Sequence, residues 1–357
     1  MHVKIIAEVG VNHNGDISLA KELVAAGAEA GADIVKFQSF KAENLVTRKA
    51  EKAQYQKNNC RADESQYEML KRLELDEKMH FEIIACCKRY NVEFLSTAFD
   101  EESLTFLTTE AKLGALKISS GEITNGPFIH NHAKTGSDLI VSTGMATLGE
   151  IEEALAVIAH AYCHPNKPIK DINDCYRALA TSEGLKLLKD KVTLLHCTSS
   201  YPASAESVNL RAMGTMQKAF GLRVGYSDHT AGLVAPIAAV AMGASVIEKH
   251  FTLDCNMEGP DHKASLEPRA LRQMVVDIRM TSQMLGHGRK LPHSSEISTK
   301  NVARKSIVAR DAIKVGESLT ANNMALMRPG TGVSPMKWWS KLEDSAVKNY
   351  RKGDLID

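Results

Sequence analysis

Short apolar runs that end in polar residues recur along the first 285 residues of the chain. A segment in which apolar residues recur every three to four positions, typical of a helix, follows most of these runs. The strand-like runs span residues 3–7, 33–35, 92–95, 115–118, 139–141, 192–195, 222–226 and 245–247. Repeated strand and helix units of this number and length predict an α/β fold, a closed (β/α)₈ TIM barrel over residues 1–285, with the functional residues at the carboxyl ends of the strands.

The last two strands, within residues 225–268, carry a histidine each at the carboxyl end, His229 and His250. Adjacent parallel strands lie about 5 Å apart, so two imidazoles at one sheet edge could share a divalent ion. A single loop histidine is more often a hydrogen-bonding residue. The same loops also contain Asp228, Glu248, Asp261 and His262. Because polar groups at the ends of apolar strands lose hydration, this crowding favours a functional site.

The other strand ends are polar too, and residues 41–59 lack apolar periodicity, so we expect a loop over the site there. Each strand-like run ends in charged or hydroxyl residues. A doubly wound open sheet is the alternative fold, but it would concentrate ligand residues at one switch point instead of at every strand.

The pattern changes after residue 285. Residues 286–299 are rich in Gly, Pro and Ser and predict a linker. Residues 300–357 contain short β-like pieces and tight turns, which predict a small, mostly β domain that would be marginally stable alone.

Composition limits the range of possible functions. The chain has 357 residues, 44% of them apolar, and a net charge of +1 without a basic run, which argues against nucleic acid and favours a small-molecule substrate. Seven cysteines without CxxC spacing predict reduced thiols. A strand at the start without a leader, and no apolar run of membrane length, predict a soluble cytoplasmic protein that does not enter membranes.

A set of motifs then occurs in order along nearly the whole chain: IIAEVGVNHNGD, KFQ, KISSGE, STGMA, LLHCTSSYP, GYSDHT, IEKHFTLD, GPDHKASLEP and RPGTGVSP. Together they strongly resemble the N-acetylneuraminate (sialic acid) synthases and their bacterial relatives that make legionaminic acid. The tail resembles the antifreeze-like SAF domain of those enzymes.

The resemblance implies a condensation of phosphoenolpyruvate (PEP) with the open-chain aldehyde of an N-acetylated mannosamine-type sugar, giving a nine-carbon 2-keto acid and phosphate. N-acetylmannosamine, which gives N-acetylneuraminate, is the first expectation for the acceptor. The alternative is 2,4-diacetamido-2,4,6-trideoxymannose, which gives N,N'-diacetyllegionaminate. The family also implies that His229 and His250 hold a divalent metal. Imidazole ligands favour Mn²⁺, with Mg²⁺ or Co²⁺ possible.

The resemblance assigns further roles by position. The implied PEP-binding residues are Lys36, Thr97, Lys117, Ser120, Ser142, Ser199 and Ser227. The implied sugar-binding residues are Gln38, Tyr201, Asp261 and Arg328. Some relatives carry Asn at the position of Ser199, which would change that phosphate contact. Glu8 matches the carboxylate that faces the sugar aldehyde, and Glu122 is a rival catalytic candidate.

In such enzymes the small domain covers the barrel mouth of a partner subunit, and the arginine that corresponds to Arg328 reaches the sugar there. The resemblance therefore implies a domain-swapped homodimer.

Two other functions compete with this one. A barrel that makes a seven- or eight-carbon keto acid would need extra basic residues for a sugar phosphate, and the strand-end loops carry no spare Arg cluster. A non-catalytic carbohydrate- or ice-binding protein would need a flat, regular Thr face, whereas Lys, Arg and Glu are interspersed along the tail.

Overall fold

The computed structural model describes residues 2–60 and 64–357. The chain divides into two compact units, the first ending at Gly286 and the second beginning at His287.

The first unit is built on a closed barrel of eight parallel strands within the described ranges, so the predicted (β/α)₈ barrel is confirmed. The strands are β1 (Lys4–Gly10), β2 (Ile34–Ser39), β3 (Glu93–Ala98), β4 (Ala115–Ile118), β5 (Asp138–Ser142), β6 (Val192–Cys197), β7 (Arg223–Asp228) and β8 (Val246–His250). β1 closes the barrel because it pairs with both β2 and β8: Ile6 lies opposite Ile34 on one side and Glu248 on the other.

Helices follow the strands. They are α1 (Ile17–Glu29), α2 (Ala42–Leu45), α3 (Gln54–Asn59), α4 (Gln66–Leu73), α5 (Glu77–Arg89), α6 (Glu101–Thr109), α7 (Gly126–Lys134), α8 (Leu148–Cys163), α9 (Ile172–Leu179), α10 (Ser182–Lys191), α11 (Arg211–Phe220), α12 (Val234–Ala241) and α13 (Pro268–Met284). The Asp16 side chain accepts a hydrogen bond of 2.7 Å from Ser18 N, which satisfies an amide at the start of α1.

The segment between β2 and β3 is more ordered than the sequence pattern predicts. The expected loop at residues 41–59 contains α2 and α3, which have four and six residues. Helices this short show too little of the 3.6-residue period to be seen in a sequence. The helical pattern from Ser65 to Tyr90 is divided between α4 and α5, because the Asp76 side chain accepts from Met79 N and starts a second helix.

The barrel interior is layered. Alternate residues of a strand face the same side, so inward positions recur every second residue. A small apolar cluster fills the lower layer: Ile6, Ile34, Leu95, Leu195 and Val246. The next inward residue on each of these strands belongs to a polar layer at the carboxyl ends. The larger core lies between the strands and the surrounding helices.

The second unit contains α14 (Ile297–Ala303), an antiparallel pair of strands, β9 (Ser306–Ala309) and β10 (Met324–Met327), and α15 (Trp338–Lys341). Helix α14 begins inside the stretch predicted as a linker. The unit has its own core, formed by Ile307, Ala309, Ile313, Leu319, Met324, Ala346, Tyr350 and Ile356.

Across the residues that the structure describes, none of the helices combines the length and the apolar character that crossing a membrane requires.

Candidate active site

A cavity of about 390 Å³ opens at the carboxyl ends of the barrel strands. Every strand of the barrel contributes an inward side chain to it, in chain order Glu8, Lys36, Thr97, Lys117, Ser142, Cys197, Ser227 and Glu248. We call this ring of side chains the polar floor. Its position above the apolar layer follows from the alternation along each strand.

Two lysines and two carboxylates meet in the polar floor. Lys36 Nζ lies 2.9 Å from Glu8 Oε2 and 3.3 Å from Glu248 Oε2. Lys117 Nζ lies 3.3 Å from Glu248 Oε1, to which the Ser227 hydroxyl donates at 2.7 Å. All four charged groups are buried, with at most 5% exposure. Buried charges are costly unless they are paired, and these are paired with one another.

The two carboxyl groups differ in acidity. Burial raises the pKa of Glu8 to about 7, although the neighbouring Lys36 acts to lower it. Burial also acts to raise the pKa of Glu248, but Lys117 and Lys36 together hold that pKa far below its ordinary value. Environments that separate two acidities in this way give two carboxyl groups different roles. Near neutral pH, Glu8 can exchange a proton, whereas Glu248 stays ionised.

Hydroxyl groups surround the lysines. The hydroxyl residues predicted to bind PEP all line the cavity: Thr97, Ser120, Ser142, Ser199 and Ser227. Thr97 Oγ1 accepts from Lys36 Nζ at 3.2 Å, and Ser120 Oγ accepts from Gly144 N at 3.0 Å. Lysine and hydroxyl donors in one buried place suit the phosphate and carboxylate of a small anion.

The two histidines lie side by side, with ring centroids 5.5 Å apart. His229 Nδ1 donates to Thr198 O at 2.7 Å, which leaves Nε2 with its lone pair. His250 Nδ1 is buried, has no hydrogen-bond partner among the residues described, and lies 4.0 Å from Asp261 Oδ2. The Tyr201 ring packs against His229 at a centroid distance of 4.2 Å.

These imidazoles fit a metal site of two protein ligands. Burial lowers the pKa of His229, and burial together with His229 lowers the pKa of His250 well below its ordinary value, so both rings are neutral at pH 7. Neutral imidazole is the ligand form, and the unpartnered Nδ1 of His250 is a buried polar atom that a ligand would satisfy. Within the described residues, no three His, Cys, Asp or Glu side chains converge on one metal position. Water or substrate would have to complete the coordination.

A buried ion pair on the outward faces of β7 and β8 connects the backbone segments that carry the two histidines. Asp228 Oδ2 lies 2.5 Å from Lys249 Nζ, and both side chains are fully buried. Asp228 Oδ1 accepts from Thr230 N at 2.9 Å, and Lys249 donates to Thr230 O. The pair therefore joins the residues on either side of His229 to the strand that carries His250.

Within the first unit, one predicted residue lies away from the cavity. Glu122 does not line it, and its carboxylate accepts from Asn125 Nδ2 at 2.7 Å. Arg328 lies in the second unit, where its Nε donates to Ala303 O at 3.0 Å. The other sugar-binding candidates line the cavity: Gln38, Tyr201 and Asp261. Gln38 Nε2 lies 3.5 Å from Glu8 Oε1.

The sequence suggested Glu248 only as a lower-ranked candidate, a partner of a metal ligand or of a substrate hydroxyl, and it gave Lys249 no role. A signal was available for both, because alternation along β8 puts Glu248 on the same inward face as His250 and puts Lys249 on the outward face. A charged residue on the outward face of a barrel strand lies against the covering helices, and it must be paired there.

This barrel with acidic, basic and imidazole groups at its strand ends belongs to a known class. The chain is a member of the NeuB family, whose model matches residues 23–290. Over 352 residues it is 49% identical to N,N'-diacetyllegionaminic acid synthase of Campylobacter jejuni, covering 99% of this chain and 98% of that enzyme. Identity to the enzyme of the same name from Legionella pneumophila is 46% over 333 residues, 93% of this chain and 86% of that one.

A solved structure supports the same family. The N-acetylneuraminic acid (sialic acid) synthetase of Leptospira borgpetersenii serovar Hardjo-bovis, in complex with citrate, superposes with a TM-score of 0.69 and 30% identity, covering 84% of this chain and 90% of that one. The resemblance to this group of synthases is confirmed. Of the two predicted reactions, the relatives favour the second, which gives legionaminic acid.

Proposed function

We propose that this protein is an N,N'-diacetyllegionaminic acid synthase, which condenses PEP with 2,4-diacetamido-2,4,6-trideoxymannose and releases phosphate. The observation that carries the proposal is the 49% identity, over nearly the full length of both chains, to a synthase with this product. The polar floor supports it, because two buried lysines and several hydroxyls suit an anionic substrate such as PEP. This acceptor replaces N-acetylmannosamine, our first expectation from the sequence.

The reaction makes one carbon–carbon bond. Carbon 3 of PEP attacks the sugar aldehyde carbon, water adds to carbon 2 of PEP, and the bond from carbon 2 to the phosphate oxygen breaks. Lys36 and Lys117, with the nearby hydroxyls, hold the phosphate and carboxylate of PEP and neutralise their charge. Glu8, whose pKa is about 7, takes a proton from the attacking water. Glu248 keeps both lysine side chains oriented toward the substrate.

His229 Nε2 and an imidazole nitrogen of His250 would hold a divalent metal, for which we propose Mn²⁺ because imidazole favours transition metals. Such an ion supplies Lewis-acid polarisation of the sugar aldehyde. Asp261 Oδ2 lies 4.0 Å from His250 Nδ1, beyond hydrogen-bonding distance, so we keep Asp261 as a sugar-binding residue.

From the family resemblance we further propose that the protein acts in the cytoplasm as a homodimer, and that its second unit is an SAF domain whose Arg328 completes the cavity of a partner subunit. Mixing inactive His250→Ala and Arg328→Ala proteins tests this arrangement. If subunits exchange, half of the dimers are mixed, and each mixed dimer has one intact site, so activity should return to roughly a quarter of wild type. A mixture that stays inactive although exchange is demonstrated would contradict the shared site.

Gly144 is predicted to keep two of the hydroxyls in place. A Cβ at this position would lie 2.2 Å from Ser199 Oγ and 2.8 Å from Ser120 Oγ. Gly144→Ala should therefore turn these hydroxyls away and raise KM for PEP by about tenfold, the effect of losing a hydrogen bond to a charged group. Steady-state kinetics with varied PEP measure the change. Gly149→Ala is the control, because a Cβ there would come no closer than 3.9 Å to Thr147 Oγ1. An unchanged KM would contradict this role of Gly144.

The function is tested by phosphate release from PEP with added Mn²⁺, comparing the diacetamido-trideoxy sugar with N-acetylmannosamine. EDTA and a His229→Ala, His250→Ala variant are the controls for the metal. We expect EDTA-sensitive turnover with the diacetamido-trideoxy sugar. Turnover with N-acetylmannosamine alone would assign the product to N-acetylneuraminate, and no phosphate release with either sugar would contradict a synthase of this kind.

A further inference from the structure

The cavity has two chemically different sides. Beyond the polar floor, a set of apolar side chains lines the same cavity: Val11, Leu45, Met69, Leu70, Leu73 and Phe99. We call this set the apolar wall. Its members pack together with Phe40 and Cys60 in a hydrophobic cluster that is separate from the barrel core. Two amide side chains of the segment between β2 and β3, Gln56 and Gln66, also reach the cavity.

The apolar wall lies beyond the carboxyl ends of the strands, farther from the barrel interior than the polar floor. Val11 follows Glu8 just beyond the last residue of β1, and Phe99 follows Thr97 just beyond β3. The other members come from α2 and α4, in the segment that follows β2. A molecule with one end on the polar floor therefore meets the apolar wall with its other end.

This arrangement bears on the acceptor sugar. Bond formation requires the aldehyde carbon to lie at the polar floor, beside PEP, so the far end of the open-chain sugar reaches the apolar wall. A hydroxyl group pressed against the apolar wall loses its water without gaining a partner. A methyl group in the same place gains from burial. The two candidate sugars differ in this respect, since only the diacetamido-trideoxy sugar carries a 6-deoxy methyl and a second acetyl methyl.

We propose, on the basis of the proposed function, that the apolar wall selects the acceptor by its methyl-bearing far end, and that Leu45 and Leu70 are specificity-determining residues. Both side chains are half-buried against the cluster and border the cavity. Met69 and Leu73 are almost completely buried, so they support the apolar wall from behind.

Leu70→Asn tests the proposal, because it puts a polar amide of similar size into the apolar wall without opening its buried layer. We expect kcat/KM for the diacetamido-trideoxy sugar to fall by about tenfold or more, the range in which hydrophobic pockets discriminate single groups. Turnover of N-acetylmannosamine should fall less, so the ratio of the two kcat/KM values narrows. KM for PEP should stay unchanged, because the polar floor is intact.

Two further variants serve as a second test of the apolar wall and as a surface control. Leu45→Asn changes a second member of the apolar wall and should narrow the same ratio. Leu185→Asn makes the same change on the outer surface of α10, where the side chain is 51% exposed, and should leave the ratio unchanged. Melting temperatures of all three variants show that they are folded.

The possible outcomes separate the two proposals. An equal loss for both sugars, or an unchanged ratio in Leu45→Asn and Leu70→Asn, would overturn the role of the apolar wall. Wild-type protein that uses both sugars equally would also overturn it, while leaving the synthase function in place. Wild-type protein that releases phosphate with neither sugar would refute the proposed function. It would also refute the selection of the acceptor sugar by the apolar wall.

Discussion

Replacing Glu8 with glutamine is expected to lower kcat by about 10²–10⁴-fold, the usual contribution of a general base. Glutamine keeps the size of the side chain and one acceptor oxygen, but it cannot take a proton. The wild-type rate should also depend on pH through this group. Because burial raises the pKa of Glu8 to about 7 and the active form is deprotonated, kcat/KM should rise as pH passes through about 7, where half of the base is deprotonated, and become constant well above that pH.

A pH series of initial rates for wild type and Glu8→Gln measures this effect. The rise near pH 7 should be absent in the variant. Asp261→Asn is the matched control, because burial raises the pKa of Asp261 to about 6 in the same cavity. If the rise persists in Glu8→Gln but disappears in Asp261→Asn, the base is Asp261. A rise that persists in both variants would belong to the ionisation of PEP itself.

Replacing Lys249 with methionine is expected to lower the free energy of unfolding by about 3–5 kcal/mol, because it leaves the carboxylate of Asp228 buried without its cation. The remaining donors to Asp228 are neutral, namely the Tyr226 hydroxyl at 3.1 Å and Thr230 N. The double variant Lys249→Met, Asp228→Asn should recover part of the loss, because the uncompensated charge is then gone.

Urea unfolding of the single and double variants measures these free energies. Lys4→Met is a suitable control, because Lys4 also lies on a barrel strand but its partner Glu93 is 3.7 Å away and both side chains are about half exposed. Such a pair contributes about 1 kcal/mol or less. If Lys249→Met is no more destabilised than Lys4→Met, water or another group must satisfy Asp228. The Asp228–Lys249 ion pair would then contribute little to the free energy of unfolding.

The barrel was predictable because its strands obey a simple local rule. Residues 3–7 and 245–247 are short apolar runs followed by polar residues, and the barrel places all such ends together. The same rule brought Lys36 and Lys117 into one site although they are far apart in the sequence.

Other features depended on partners that the sequence does not reveal. Glu122 follows a barrel strand like the true cavity residues, but its chain turns into a short 3₁₀ helix and the carboxylate bonds to Asn125. The acidity of Glu8 follows from its burial and from Lys36, and neither is a local property. The short helices α2 and α3 have hydrogen-bond partners remote in the sequence: Ala42 N donates to the Glu74 carboxylate at 2.7 Å, and Asn59 Nδ2 donates to Pro260 O at 3.1 Å. Periodicity could not predict these partners.

The segment that carries most of the apolar wall is separate from the barrel strands in the sequence. It enters after β2 and returns before β3, and its cluster shares no member with the barrel core. The residues that perform the chemistry and the two leucines that we expect to select the acceptor, Leu45 and Leu70, are therefore encoded in different stretches of the gene. A graft of the stretch between β2 and α5 from a relative with another product should retarget the enzyme while its reaction chemistry stays intact.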